Sequence, residues 1–244
     1  MTGTLRAGPD FRVEQAGGFF VLRARLLDLP GFRHAFTTRQ YPDGDPGALR
    51  ALGFDPLRVV EAEQVHGARV VAVRGNCGQR VAGADGLWTD RAGLVLKVRS
   101  ADCLAVLVVD PQKSRVAAVH AGWRGLAAGV LSRTVRALRG AGSRPEELRC
   151  AVGPAIGACC YEVDEPVREA LGRWPQAFRP GRPGHWQLDL REVGRAQLLA
   201  EGVRPEHLAS CEACTACEPE WFYSYRREGR SGTLWALVSR EDGR

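Results

Sequence analysis

Three short segments bring together side chains that could do chemistry: Gln64-Val65-His66-Gly67, Ser100-Ala101-Asp102-Cys103 and His120-Ala121-Gly122-Trp123-Arg124-Gly125. His66, Cys103 and His120 offer two imidazoles and a thiol, each where a strand ends or a loop begins. Such a set leaves one position of a tetrahedral zinc open, the pattern of a catalytic rather than a structural metal site. A zinc so held supplies hydroxide at neutral pH. The spacing alone serves a blander reading equally well, with satisfied loop histidines and a buried thiol. Two further readings use the same residues. One is a metal-free hydrolase with Cys103 as thiolate nucleophile and His120 as its base. The other is a binding module in which zinc only ties loops together. Asp102 is placed to shuttle a proton or to accept from a histidine N–H, unless it merely caps a turn.

The third segment also offers an anion site. Gly122 and Gly125 let the backbone come close at an expected helix N-terminus, where free N–H groups attract negative charge. Arg124 adds a guanidinium fork that suits phosphate. The bland alternative is a helix-entry turn with a solvent-exposed arginine.

These residues need elements to position them. Val70 to Val73 reads as a short β-branched strand, and Leu94 to Arg99 alternates as a half-buried strand does. Leu104 to Val109 is continuously apolar, which predicts a strand buried on both faces. Asp110-Pro111-Gln112-Lys113 is a turn, and Arg115 to Val119 returns to make a hairpin. That hairpin would bring Cys103 and His120 to one end of one sheet. Trp123 to Leu138 then takes helical spacing, with Leu126, Val130, Thr134 and Leu138 on one stripe. Further helices are expected over Glu165 to Leu171 and over Arg191 to Glu201, the latter capped by Asp189. Trp221 to Arg226 has a period of two and reads as a strand with Arg226 and Ser224 on one face; Thr233 to Val238 is another strand. Tyr41 to Gly47 and Arg179 to Gly184 read as loops. Helices and strands mix without regular βαβ alternation, which predicts α+β, or mixed-sheet α/β, in one domain over residues 1–244.

Composition narrows the function. The 244 residues are 45% hydrophobic and 25% charged, an ordinary globular balance. No stretch is long and apolar enough to span a membrane, and residues 1–10 lack a signal-peptide core, so a cytoplasmic address is expected. The net charge of +6 suits anionic partners, but the arginines are scattered rather than clustered, which favours small anions over nucleic acid. GxGxxG and GxxxxGK[ST] are both absent, against dinucleotide and P-loop chemistry. A monomer or weak homo-oligomer is expected. Cys211-x2-Cys214-x2-Cys217 looks like part of an iron–sulfur run without a clear fourth cysteine, so buried thiols are the default there.

The three segments, with Val152 to Val163 (VGPAIGACCYEV) and Phe222 to Gly229 (FYSYRREG), resemble the laccase-domain, YfiH-type family, also named the polyphenol oxidase or peptidoglycan editing factor family. Their order and spacing match over nearly the whole chain. The resemblance implies a mixed α/β fold related to the catalytic domain of cytotoxic necrotizing factor. It implies a zinc-dependent purine nucleoside phosphorylase that cleaves adenosine, inosine and methylthioadenosine with phosphate and also deaminates adenosine. It makes His66, Cys103 and His120 the metal ligands, and with Asp102 beside Cys103 the expected catalytic residues are Cys103, His120 and Asp102. Arg39, Gln64, Arg124 and Arg226 become substrate-binding residues, Arg226 projecting toward the site. Asp85, in Ala84-Asp85-Gly86, matches a further family segment, and Cys159 with Cys160 would shape the pocket wall.

A two-histidine, one-cysteine set also occurs in blue-copper centres, normally with a weak axial methionine. The sole methionine is Met1, which favours zinc over copper, and five histidines are too few for a multicopper laccase. Three departures from the family pattern stand out: the glycine turn after Arg39 is replaced by Gln40-Tyr41-Pro42, the proline after Asp102-Cys103 is missing, and a late-helix asparagine is Gly194 here.

Overall fold

The structure, a computed structural model, describes residues 5–42, 45–75 and 80–241. Its framework is two mixed β-sheets laid face to face. The first has seven strands, in the order Phe11–Ala16, Phe19–Ala24, Phe32–Thr37, Leu234–Arg240, Val95–Ser100, Val59–Glu63 and Arg80–Ala82. The second has six, in the order Leu208–Ser210, Arg149–Val152, Leu104–Asp110, Arg115–Ala121, Gly86–Thr89 and Val70–Ala72. A small third sheet joins Glu162–Val163, Trp186–Leu188 and Phe178–Pro180.

The Leu104–Asp110 strand shows why the sheets stack. Side chains alternate across a strand, and here both faces are apolar. Ala105, Leu107 and Val109 join the core between the sheets with Phe36, Leu96, Val98 and Val238. Leu104, Val106 and Val108 face the other way, onto helices Val130–Gly140 and Leu190–Ala200 through Val130, Leu131, Val135, Val193 and Leu198. A third cluster covers the outer face of the seven-stranded sheet, where helix Pro46–Ala51 lays Ala48 and Leu49 against Val21 and Leu237.

The expected hairpin is present, Leu104–Asp110 pairing antiparallel with Arg115–Ala121 so that His120 stands opposite Ala105. Its turn is fixed by Asp110, whose carboxylate accepts from the Gln112 and Lys113 N–H groups at 3.0 Å. Between Ser100 and Leu104 the chain leaves the seven-stranded sheet and enters the six-stranded one. Cys103 lies on that crossing.

Four local expectations need correction. The helical stretch after Trp123 is two helices, Trp123–Ala127 and Val130–Gly140, because Gly129 takes φ +77° and breaks the ladder; the Leu126, Val130, Thr134, Leu138 stripe is nonetheless buried. Trp221 to Arg226 is not a strand. Ser224 instead caps helix Tyr225–Glu228, its hydroxyl accepting from Arg227 N–H, while Glu228 accepts from Ser224 N–H at 3.1 Å. Within Tyr41 to Gly47, Asp43 and Gly44 lie outside the described residues, and Asp45 caps a helix that opens at Pro46. The expected loop at Arg179 starts inside strand Phe178–Pro180. Among the described residues no helix is long and apolar enough to cross a membrane.

Gly194 sits where two leucines fill the space beside the helix. A Cβ there would lie 2.9 Å from Leu104 Cδ1 and 3.3 Å from Leu131 Cδ1, so the two leucines occupy the room a side chain would need. Gly153, just after strand Arg149–Val152, is tighter still, with its Cβ position 2.3 Å from Phe36 Cδ1. Phe36 is buried in the core between the sheets. Gly153→Ala is therefore expected to cost about 1–3 kcal/mol through overpacking, read as a lower urea midpoint with an unchanged slope. An unchanged midpoint would show that this packing is looser than the structure indicates.

Candidate functional site

The site is organised by a carboxylate. Asp85 is fully buried at the start of strand Gly86–Thr89. Its Oδ2 accepts from the N–H of Val65 at 3.2 Å and of Gly67 at 2.7 Å. Its Oδ1 accepts from the N–H of His66 at 3.0 Å and meets His120 Nδ1 at 2.8 Å. The Asp85 carbonyl also accepts from His120 N–H at 2.7 Å. Burial alone would raise the Asp85 pKa, but the His120 hydrogen bond, the loop N–H groups and the His120 charge outweigh it and leave it below the ordinary value. An ionised carboxylate only accepts, so Nδ1 of His120 donates and Nε2 is left for the other side. The same hold keeps His66 at φ +59°, a left-handed conformation uncommon for a bulky side chain.

His66, Cys103 and His120 converge as a result. Their ligand atoms lie within 4.8 Å of one another, and the two imidazoles meet edge to face at 87° with centroids 4.8 Å apart. Gly122 is what lets the backbone pass: a Cβ there would lie 2.9 Å from Cys103 Sγ and 3.1 Å from His66 Cδ2. Burial opposes ionisation of Cys103, yet hydrogen bonds with His120 and His66 and their charges bring its pKa down to about 6. Burial likewise opposes charge on His120, and Asp85 with Cys103 overcomes it, raising the imidazole to about 9. Two imidazoles and a ready thiolate, one imidazole oriented by a carboxylate, suit a single metal ion of the zinc type.

The other expected site residues fall differently. Asp102, at φ +95°, accepts from the Thr215 hydroxyl at 2.6 Å and from Arg226 N–H at 2.7 Å. The carboxylate beside the imidazole is thus Asp85, and Asp102 instead ties the Cys103 corner to the C-terminal segment. Gln64 is spent on the fold, both ends of its amide pairing with the Arg99 backbone at 2.7 Å. Arg39 stacks on Tyr223 at 4.8 Å and bonds the Pro219 carbonyl, with Glu228 at 3.6 Å. Arg124 is exposed over the Trp123 ring at 4.2 Å. Arg226 sits on a helix, not a strand; its guanidinium lies over Tyr161 at 5.0 Å and donates to the Glu162 carbonyl at 2.9 Å. Tyr161 was hidden inside a quoted motif without a role. Burial and the Cys103 charge raise its phenol, against the pull of Arg226, so it stays protonated.

Comparison with known proteins gives the family. The family model described as multi-copper polyphenol oxidoreductase laccase matches residues 47–241. The chain belongs to this laccase-domain family. It is 40% identical over 206 residues to the purine nucleoside phosphorylase YlmD of Geobacillus stearothermophilus, covering 78% of this chain and 75% of that one. It is 34% identical over 257 residues to a purine nucleoside phosphorylase of Deinococcus radiodurans, covering 91% and 94%. The crystal structure of the Geobacillus YlmD matches with a TM-score of 0.86 at 32% identity, over 96% of this chain and 99% of that one. The Bacillus licheniformis hypothetical protein YfiH matches with a TM-score of 0.88 at 28% identity, over 96% and 100%. The expected mixed α/β fold is therefore that of the laccase-domain structures.

The copper in the family's description finds few ligands here. His34 is buried with its Nε2 accepting from Ala24 N–H at 2.8 Å, and burial with the Arg23 and Arg12 charges lowers its pKa to about 3. His185 and His207 face backbone carbonyls of Pro183 and Glu146. Only His66 and His120 reach the centre.

Two measurements test this site. Asp85→Asn is expected to weaken zinc binding about 10–100-fold, the usual effect of removing a carboxylate that orients a ligand histidine, read by competition with a chromophoric chelator. Equal affinity would reduce Asp85 to a loop cap. In metal-stripped protein, alkylation of Cys103 should rise with a midpoint near pH 6, while buried Cys150, pushed up to about 12, stays unlabelled at neutral pH. A Cys103 midpoint at the ordinary thiol value of about 8.5 would contradict the pairing with His120.

Proposed function

We propose that the chain is a zinc-dependent purine nucleoside phosphorylase, with purine nucleosides and phosphate as its substrates. The observation that carries this reading is the two-histidine, one-cysteine set held by Asp85. The names of its YlmD and Deinococcus relatives support the same activity. Adenosine, inosine and methylthioadenosine are the proposed nucleosides, with deamination of adenosine as a second reaction at the same centre. The free cysteines suit a reducing compartment, and the cytoplasm is the proposed location.

His66, Cys103 and His120 would hold the zinc, which when bound supplies Lewis acidity at neutral pH. The chain's own groups do the rest. Asp85 keeps the Nδ1 proton on His120, so that ring cannot turn its other nitrogen away from the centre. Arg124 has no carboxylate partner among the described residues, and the Arg226 guanidinium engages only a carbonyl and a ring. Both retain donors for phosphate. Phosphate so held would attack C1′ of the ribose as the bond to the base breaks, the electron pair leaving with the base. Tyr161, protonated beneath the Arg226 guanidinium, offers a neutral donor to the same substrates.

Free base should appear from adenosine only when phosphate is present, with ribose 1-phosphate as co-product; base release without phosphate would overturn the phosphorylase. Arg124→Ala is expected to raise the phosphate KM about ten- to a hundredfold, the worth of one charge-assisted hydrogen bond, and to leave the nucleoside KM much closer to wild type. An unchanged phosphate dependence would make Arg124 structural.

The lowered Cys103 pKa beside a raised His120 favours one other reading, a thiolate nucleophile with its imidazolium. Cys103→Asp separates them, since a carboxylate still binds zinc but cannot replace an attacking thiolate. Under the metal reading it keeps zinc and part of the phosphorolysis. Zinc retained without activity, together with a covalent Cys103 adduct trapped in wild type, would establish the nucleophile instead.

A further inference from the structure

A second group of thiols lies outside the centre just described. Cys159 and Cys160 follow Gly157, and Cys214 with Cys217 forms a C-x2-C turn. Their four sulfurs lie within 4.8 Å of one another. Cys159 Sγ is 3.6 Å from Cys217 Sγ, and Cys160 Sγ is 3.3 Å from it.

Those separations discriminate between chemistries. A disulfide needs about 2.05 Å between sulfurs, so these thiols are in contact and not bonded. A tetrahedral zinc with Zn–S bonds of about 2.3 Å sets its sulfurs about 3.8 Å apart, which the cluster brackets. An iron–sulfur cluster distributes its cysteines over several irons and needs a wider cage. The sequence offered Cys211, Cys214 and Cys217 as part of such a run, with buried thiols as the default, but Cys217 is exposed. Cys211 is instead buried in the core between the sheets and takes no part.

The backbone around the cluster is arranged for thiolates. Gly157 N–H donates to Cys214 Sγ at 3.1 Å, and the Cys217 N–H closes the turn onto the Cys214 carbonyl at 3.1 Å. A Cβ on Gly157 would lie 3.1 Å from Cys159 Sγ and 3.3 Å from Cys214 Cβ, so the glycine lets the two loops pack closely. Cys214 is buried, Cys160 half-buried, and Cys159 and Cys217 exposed, which gives an ion a way in from the surface.

We infer that Cys159, Cys160, Cys214 and Cys217 bind a second thiophilic divalent ion, zinc, in a closed four-thiolate site. Each thiol gives up its proton as its bond to the ion forms, with no change of oxidation state. The four ligands leave no open position, so this ion is structural. What it clips together is the wall of the first site. One loop leads from Cys160 into Tyr161; the other carries Thr215, which donates to Asp102, and the carbonyls of Thr215 and Ala216 that hold the Arg227 guanidinium. The inference stands on the thiol cluster and does not depend on the proposed reaction.

Elemental analysis of protein kept reduced and supplied with zinc tests it. Wild type is expected to hold two zinc ions per chain. Cys159→Ser/Cys217→Ser should lose one, Cys103→Ser/His120→Ala should lose the other, and Cys211→Ala should keep both. Cobalt loaded into Cys103→Ser/His120→Ala should show strong sulfur-to-cobalt charge transfer with tetrahedral d–d bands, a readout independent of activity. If the double serine variant does not fold by circular dichroism, single Cys159→Ser is used, and it should surrender one zinc to a chelator that leaves wild type loaded. No zinc held by Cys103→Ser/His120→Ala, no loss on changing Cys159, iron with labile sulfide in place of zinc, or a Cys160–Cys217 disulfide in the reduced preparation would each overturn the inference.

Discussion

One buried carboxylate holds the site in being. Asp85 gathers three consecutive backbone N–H groups from the loop at residues 65–67 and the Nδ1 proton of His120. It thereby fixes one candidate ligand through its backbone and another through its ring. A buried charge is costly unless its lone pairs are filled. The loop therefore cannot leave without exposing that cost, and the histidine cannot turn without leaving an oxygen unmatched. Ionisation persists down to below the ordinary carboxylate value of about 3.9, because the shift at Asp85 is downward. The hold is intact across neutral pH and is released on acidification.

The two-sheet framework brings the third ligand to this arrangement. Cys103 lies where the chain crosses from one sheet to the other, and Asp102 secures that crossing through Thr215 and the Arg226 backbone. Gly122 then allows the strand bearing His120 to turn into its helix within contact of the thiol. Each device is local, and none would place the ligands without the hairpin register that sets His120 opposite Ala105.

Much of this was legible in the sequence, for physical reasons that vary by residue. The Leu104–Asp110 strand announces itself because burial on both faces requires an unbroken apolar run. The helix stripe from Leu126 to Leu138 survives the break at Gly129 because both pieces pack on the same sheet face. Trp221 to Arg226 misleads because two-residue alternation also fits a turn whose aromatics enter the core; the deciding signal was the Ser224 cap with Glu228 behind it. Asp102 drew attention by adjacency to Cys103, whereas Asp85, distant in sequence, is the residue that reaches His120. The role of Gln64 was hidden for the same reason, since an amide pairing with the Arg99 backbone leaves no local pattern. The four-cysteine cluster joins two segments that no spacing rule connects.

The family's description speaks of several coppers, whereas the proposed function rests on one zinc ion at His66, Cys103 and His120. Anomalous diffraction at the zinc edge, from crystals grown with zinc, tests that claim most directly because it locates each ion separately. The account predicts a peak about 2.3 Å from Cys103 Sγ and about 2.0–2.1 Å from one imidazole nitrogen each of His66 and His120, with His120 Nδ1 still on Asp85. No peak at these three residues, or a peak ligated through His120 Nδ1 with Asp85 displaced, would contradict it.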